Sequence, residues 1–556
     1  MEAFDETFDF VVVGSGAGSM AAALMMRSQG KSVVILEKTD LIGGTTARSG
    51  GAMWLPNNRF MKQAGIDESD EKAKLYFDAV VGDHNDTPGA SRERRHGYIE
   101  QSPQLVDFLV GQGVKLQAAR YWPDYYDELS GGLAVGRTVV AQLFNVNELG
   151  PWRKKLRPGW IPMAVLVEDA FALQHVKQSW RLKRMAAKVG WKMFTAKLTG
   201  KQWVTAGEAL QGRMLQASLK AGTDIRTDAA VTELIVQDDA VKGVVITRGG
   251  IPWRIAGRLG VLVNAGGFSR NQRMRDKYQP GTSVEWTSTC PGDTGEMIEE
   301  MMRHGAAVAQ MDEMVGSQTA MVPGIGEHDI KPGVHLFTGL PHVIVIDQSG
   351  VRYMNESGSY MEYCQHMLER NRTVPAVPSW ALFDTNAITR YMLAETLPGA
   401  RKPKRWFDEG FLVKADDLDE MARRLGMEAT TLRNTVERFN GFVDRKVDED
   451  FHRGERSYDR FIGDPFNSPT PTLGKIERAP FYAFRVYPGD VGTYGGVVTD
   501  VRARVLKEDG TAIPGLYATG ISTASVMGRK YPGAGASVGP SLLWGYVAAK
   551  DALGLA

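Results

Sequence analysis

Residues Phe8 to Val13 form an apolar run broken only by Asp9, the pattern of a strand buried on both faces. A glycine turn follows, Gly14-Ser15-Gly16-Ala17-Gly18, and then a helix with an alanine-rich face from Ser19 to Gln29. Ser32 to Leu36 is apolar again and predicts a second strand. The same alternation of element types returns later. Thr205 to Ala221 has helical spacing, and Asp224–Thr227, Ala230–Ile235, Val241–Thr247 and Trp253–Ile255 have the spacing of strands. Arg258 to Ala265 is a further strand and enters the turn Gly266-Gly267. Near the C-terminus, Ile513 to Gly520 is a short strand ending in glycine, and Ser537 to Leu553 is a closing helix. Between about 314 and 488 there is no glycine fingerprint, and aromatic and proline-rich stretches take over. The pattern predicts a nucleotide-binding domain over 1–313, completed by 489–556, with a substrate (cap) domain over 314–488. No internal repeat is visible.

One segment stands apart in charge. Between Trp152 and Trp203 lie twelve Lys or Arg residues opposed only by Glu168 and Asp169. Lys177, Arg181, Arg184, Lys188 and Lys192 recur at spacings of four and three and share one predicted helix face. Trp180, Ala187, Trp191, Phe194 and Leu198 fall on an apolar face. Two readings follow: a solvated helix packed on the body of the protein, or a basic amphipathic helix lying on an anionic membrane surface.

Composition narrows the function class. The 556 residues carry 66 Lys+Arg against 65 Asp+Glu, a net charge of +1 that points to no nucleic-acid partner. The two cysteines, Cys290 and Cys364, form no CxxC pair, so no disulfide framework, zinc site or iron–sulfur cluster is expected, and no metal. The acidic N-terminus lacks the apolar core of a secretory signal, and no run of about 18 apolar residues predicts a membrane span. The expected location is cytoplasmic, with attachment to the inner face of the membrane as the alternative raised by the basic segment.

The glycine turn carries chemistry. A strand precedes it, a helix follows it, and Glu37 ends the second strand about 20 residues on. This is the βαβ unit of a Rossmann-type fold, in which Gly14, Gly16, Ala17 and Gly18 bring backbone N–H groups to a pyrophosphate and the acid accepts from ribose hydroxyls. Ser19 occupies the third glycine position of the fingerprint. An acid at Glu37 disfavours a 2′-phosphate.

The segment Leu41-Ile42-Gly43-Gly44-Thr45-Thr46-Ala47-Arg48-Ser49-Gly50-Gly51 resembles the stretch beside the flavin in the fumarate reductase and succinate dehydrogenase superfamily. Gly515-Leu516-Tyr517-Ala518-Thr519-Gly520 is similar to another superfamily segment. The resemblance implies FAD. Members with covalent flavin carry a histidine at the position of Gly44, so a noncovalent FAD is implied here. Its expected neighbours are Lys38, Gly44, Thr45, Thr46, Ser49, Gly50 and Gly51, then Ala230, Val231, Ala265 and Gly266, and finally Gly520, Ala536, Ser537 and Leu542. The helix from Ala536 onward would point its positive end at the flavin N1–O2 edge.

Three further motifs resemble the 3-ketosteroid Δ1-dehydrogenases: Trp122-Pro123-Asp124-Tyr125, Arg352-Tyr353-Met354-Asn355-Glu356-Ser357-Gly358-Ser359-Tyr360, and Tyr531-Pro532-Gly533-Ala534-Gly535. The likeness covers most of the chain apart from the basic segment. It implies an α/β fold, a Rossmann-type FAD-binding domain with an inserted α+β cap, and desaturation of a 3-ketosteroid between C1 and C2. Tyr531 and the Gly535 N–H would hold the C3 carbonyl and stabilise the enolate. Tyr360 would be the base, supported by Tyr125, with the adjacent Tyr126 as the alternative partner. The C1 hydride would pass to flavin N5, and a quinone or other acceptor would reoxidise the flavin.

Fumarate reductases carry an arginine where Tyr360 stands, and a phenol there removes the charge a dicarboxylate needs. His335, His342 and Arg401 keep a carboxylate reading open. The remaining alternatives are a 3-ketosteroid C4–C5 dehydrogenase, a fumarate-type reductase, and a steroid-binding flavoprotein without turnover.

Overall fold

The computed structural model describes residues 3–83, 87–161, 163–394 and 396–555. Its main sheet has eight strands. The central path runs Arg504–Leu506, Ala512–Ala518, Ile251–Val263, Glu6–Val13, Val33–Leu36, Asp224–Arg226. Four of its five pairings are parallel, Arg504–Leu506 runs antiparallel to Ala512–Ala518, and the hairpin Val231–Gln237/Ala240–Arg248 adds antiparallel strands to Ile251–Val263.

The apolar run predicted as a two-faced strand is one. Phe10 and Val12 pack on one side among Ala21, Leu24 and the closing helix, while Val11 and Val13 pack on the other with Val231, Val244 and Met301. Each fully buried side chain of this size contributes about 1.5–3 kcal/mol. Helices Ala17–Ser28, Ala206–Lys220 and Val538–Ala552 cover the first side.

Two strands expected as separate, Trp253–Ile255 and Arg258–Ala265, are one strand, Ile251–Val263. The register shifts between Phe8↔Gly257 and Phe10↔Gly260. A bulge of this kind bends a strand without ending it, and Gly257 and Gly260 read in sequence as a break.

The cap is built on a separate antiparallel sheet of Met314–Thr319, Phe481–Thr493, Ser379–Phe383 and Val343–Ile346, with Val413–Ala415 beside the long strand. Its helices give it an α+β character. The long strand Phe481–Thr493 runs through position 488, so chain connection between cap and nucleotide domain passes along a strand.

In the basic segment, the helix is Trp180–Leu198. Lys177 lies before it, in a short turn, and its Nζ donates to the Pro398 carbonyl. It therefore leaves the predicted basic face. The apolar face is also corrected. Leu182 and Ala196 are the buried residues and Val189 packs on the core, whereas Trp180, Trp191, Phe194 and Leu198 are exposed by 75, 67, 53 and 71%. Helical spacing located an apolar face but not the side on which the protein lies.

Candidate active site

A single cavity of about 680 Å³ runs from the first glycine turn to a chamber of tyrosines. Its nucleotide end is lined by Gly14, Ser15, Gly16, Glu37, Lys38, Ala230, Val231, Ala265 and Gly266. Gly44, Thr45, Thr46, Ser49, Gly50 and Gly51 form the middle, with Gly520, Ser537 and Ser541 opposite. Ala17, Gly18, Ser19, Ala536 and Leu542 stand behind this surface and do not line it.

Packing explains some of these glycines. Gly14 has φ +91°, and a Cβ there would lie 2.2 Å from the Asn264 carbonyl oxygen. A Cβ on Gly18 would meet the Ser541 carbonyl at 2.3 Å, and one on Gly545 would meet the Gly18 carbonyl at 2.2 Å. Close helix packing thus rests on Gly18, one position before the third fingerprint glycine, and Ser19 is free to be a serine. Its hydroxyl lies 3.0 Å from the Asn264 amide. Gly44 and Gly50 are different. A Cβ at 44 would come no closer than 4.0 Å to any atom outside its neighbours, and one at 50 would meet nothing within 4 Å. At Gly44 the backbone itself favours glycine, with φ +51°. At Gly50 neither packing nor a positive φ demands one, and the bare backbone there leaves room for a flat ligand.

Glu37 is 7% exposed. It accepts from the Ser15 hydroxyl at 2.5 Å and from the Thr39 N–H and hydroxyl at 2.9 and 2.8 Å. Lys38 is paired with Glu296 at 2.5 Å.

At the far end, Tyr125, Tyr360, Tyr458 and Tyr531 converge from four distant segments. Ring centroids are 5.6 Å apart for Tyr125–Tyr360, 5.0 Å for Tyr360–Tyr531 and 3.9 Å for Tyr125–Tyr458. Trp122, Val167, Phe171, Leu336, Phe461 and Ile462 supply apolar walls.

The loops that carry these rings are stitched to one another. The Tyr125 N–H donates to the Pro532 carbonyl at 2.9 Å, and Asp124 pairs with Gly533. The Tyr76 hydroxyl donates to the same Pro532 carbonyl at 2.6 Å. Asp124, beneath Tyr125, is held by Trp54 at 2.9 Å and by buried Arg137. Tyr360 opens the helix Tyr360–Arg370, and Gln318 donates to its carbonyl at 3.1 Å. Arg352, Glu356, Asp448 and Arg453 form a buried ion network under that motif, with contacts of 2.6–3.1 Å. Tyr458 sits on Ser457–Ile462, whose first N–H donates to Asp127 at 2.8 Å.

Gly535 has φ +94°, and a Cβ there would lie 2.4 Å from the Ala52 carbonyl. Its backbone N–H and that of Ser537 reach the Tyr531 hydroxyl.

This chain is similar to known proteins along its whole length. Residues 9–538 match the family described as FAD binding domain. A 3-oxosteroid 1-dehydrogenase of Mycolicibacterium smegmatis is 39% identical over 98% of this chain and 97% of its own. A 4-oxocyclohex-2-ene-1-carboxylate 5-dehydrogenase of Sinomonas cyclohexanicum is 31% identical over 99% and 94%. The crystal structure of 3-ketosteroid delta1-dehydrogenase from Sterolibacterium denitrificans, in complex with 1,4-androstadiene-3,17-dione, superposes with a TM-score of 0.90 at 33% identity, covering 99% of this chain and 100% of that one.

The chain belongs to the 3-ketosteroid Δ1-dehydrogenase family. It is an FAD-dependent dehydrogenase, and the bare backbone at Gly50 fits the flat ring of that cofactor.

Within this family member, burial dominates the electrostatics of the chamber. It raises the pKa of Tyr125, Tyr360 and Tyr458 well above the ordinary phenol value; neighbouring phenols raise Tyr360 further, whereas a hydrogen bond with Tyr125 partly offsets the rise at Tyr458. Burial also raises Tyr531, but Tyr360 and the Gly535 and Ser537 N–H groups hold it to about 12.

Tyr125 lines the cavity, whereas Tyr126 does not; the Tyr126 hydroxyl is buried without a partner under Arg456 and Lys530. Of the three residues that kept a carboxylate reading open, His335 lines the cavity and His342 and Arg401 do not. Sequence reasoning missed Tyr458 and the ion network's Asp448 and Arg453. No local motif marks them, because their partners lie about 90 to 330 residues away.

Among the described residues, no helix is long and apolar enough to cross a membrane.

Proposed function

We propose that the protein desaturates the A ring of 3-ketosteroids between C1 and C2. One observation carries this reading: three tyrosines from motifs more than 400 residues apart meet Gly535 at the apolar end of the cavity that begins at the nucleotide turn. A 3-ketone has one polar handle on a large apolar body, which is what such a chamber suits. The 3-oxosteroid dehydrogenases among its relatives support the substrate class.

In this reading the Tyr531 hydroxyl and the Gly535 N–H donate to the C3 carbonyl oxygen. They stabilise the enolate as the C2 proton leaves, and donors of this kind are each worth roughly 10²–10³ in rate. Tyr531 stays protonated at neutral pH and is the best polarised donor of the cluster. Tyr360 takes the C2 proton. Burial disfavours its phenolate and the Tyr125 and Tyr531 phenols raise its pKa further, so this reading requires Tyr125 to turn its O–H toward that anion once substrate is bound. Bound FAD supplies the acceptor for the C1 hydride. Glu37 would hold the ribose, and the N-terminal end of Val538–Ala552 would face the flavin ring. The binding is noncovalent, because Gly44 offers no side chain to bond.

Of the cations lining the cavity, Lys38 and Arg303 are paired with acids, whereas Arg48 donates to the Thr289 and His328 carbonyls and Lys331 to those of Gly326 and Glu327.

Electrons would leave to a quinone or similar acceptor. The outward face of Trp180–Leu198, with Trp191, Phe194 and Leu198 beside Lys188 and Lys197, supports contact with an anionic membrane surface where steroid and quinone partition. Co-sedimentation with anionic vesicles at low salt tests this; a protein that stays in the supernatant refutes it.

The decisive experiment is anaerobic mixing of the holoenzyme with androst-4-ene-3,17-dione. Bleaching of the flavin band at ~450 nm with a 1,4-diene product is expected. A stable oxidised spectrum rejects the reading, and a product unsaturated only at C4–C5 after a saturated ketone moves the protein to the C4–C5 dehydrogenases.

A further inference from the structure

His335 opens the short helix His335–Thr338 and lines the tyrosine chamber. Its ring stands 5.4 Å from that of Tyr360, at 52°. Nδ1 is buried with no hydrogen-bond partner, and among the described residues no protein group bonds Nε2 either. Ser317 lines the same wall: a Cβ on Gly333 would lie 3.6 Å from both His335 Nδ1 and Ser317 Oγ.

A ring nitrogen sealed from water with no partner is costly in a folded protein and calls for an explanation. An unpaired buried N–H costs more than an unpaired lone pair. The tautomer that suits this surrounding therefore leaves the sealed Nδ1 bare and places the proton on Nε2, which faces the cavity. Burial, with no opposing charge, pushes the imidazole pKa down to about 4. The ring is neutral at working pH and offers a carboxylate no charge. It offers an oxygen atom one N–H donor.

We propose that His335, with Ser317 beside it, is a hydrogen-bonding subsite for a second oxygen function of the substrate, a ring hydroxyl or keto group other than the ketone held at Tyr531 and Gly535. The assignment rests on the ring-ketone reading above. It makes His335 a specificity-determining residue: the chamber favours ring ketones that carry an additional oxygen where Nε2 can reach it.

The test is kcat/KM for the holoenzyme on a panel of 3-ketosteroids, each with one hydroxyl or keto oxygen at a different ring position, against the parent lacking it. Wild type, His335→Phe and His335→Gln are compared, with flavin content read on each. One substituted position should be favoured by the wild type roughly three- to tenfold, the worth of one neutral hydrogen bond. His335→Phe should flatten that preference, and His335→Gln, which keeps an N–H donor, should restore most of it. Because a ratio is read, a general loss of folded enzyme does not mimic the effect. Equal ratios in wild type and His335→Phe at every position overturn the subsite while leaving the desaturase reading standing. No turnover of the parent by wild type removes the desaturase reading, and the subsite with it.

Discussion

The two ends of the cavity solve different problems with different parts of the chain. The nucleotide end starts from neighbours in sequence: Gly14 to Gly16, Glu37 and the 44–51 segment lie within 40 residues, and Ala230, Val231, Ala265 and Gly266 complete it. The tyrosine end is made of side chains from positions 125, 360, 458 and 531, held by loop-to-loop hydrogen bonds and a buried ion network. Backbone recognition tolerates no added Cβ but needs no tuned acidity. Side-chain chemistry tolerates small changes of shape but depends on burial and on its neighbours' protons. Damage at the two ends should therefore look different.

The sharpest break is Gly14→Ala. The positive φ and the 2.2 Å approach to the Asn264 carbonyl leave a methyl group no room. We expect protein purified without flavin and with no activity, read from the ratio of visible to ultraviolet absorbance; normal flavin content would show that the turn can open. Tyr360→Phe should do the reverse, keeping flavin and melting temperature while lowering kcat by roughly 10²–10⁴, as expected for loss of a general base. Tyr531→Phe should also keep the flavin and cost roughly 10²–10³ in kcat. If either tyrosine variant loses flavin, the two ends are not separable in the way the geometry implies.

A pH measurement sharpens the contrast further. The buried phenols have folded pKa values above the unfolded value of about 10, Tyr531 at about 12. Such a group favours the folded state fully below pH 10, and this support is lost as pH rises from there through the folded value, by about 1.4 kcal/mol per pH unit per phenol. Melting temperature should fall steeply above pH 10, and less steeply in Tyr531→Phe.

The smallest effect concerns Glu168, next in sequence to the cavity-lining Val167. It is 6% exposed, its Oε2 has no partner, and burial raises its pKa to about 7. A raised carboxyl favours the folded state at acid pH and loses that support as pH rises through about 7. Glu168→Gln should therefore stabilise the protein by about 1–3 kcal/mol at pH 8 and by little at pH 5. Equal melting shifts at both pH values would mean that the carboxyl is ionised throughout.

Legibility in the sequence follows the same division. The first βαβ unit, the second group of strands and the closing helix could be read within a few residues, because hydrophobic period and glycine turns are local signals. The bulge at Gly257–Gly260 could not, since it exists only against the partner strand. The basic helix was visible, but not which face it buries: Leu182 and Ala196 face inward, and three of the five large apolar residues left outside are aromatic. Tyr126 stood as the alternative to Tyr125; the loop bonded to Pro532 places Tyr125, not Tyr126, in the cavity lining.

By itself, then, the sequence determined the cofactor class, the family and three of the chamber's tyrosines, because those rest on short motifs whose chemistry is carried by adjacent residues. Only the tertiary structure decided that Tyr458 and His335 join them, that Gly18 takes over the packing of the third fingerprint glycine, and that burial rather than a charge governs the acidity of the site. Those properties depend on which distant groups exclude water from one another, and no local spacing encodes that.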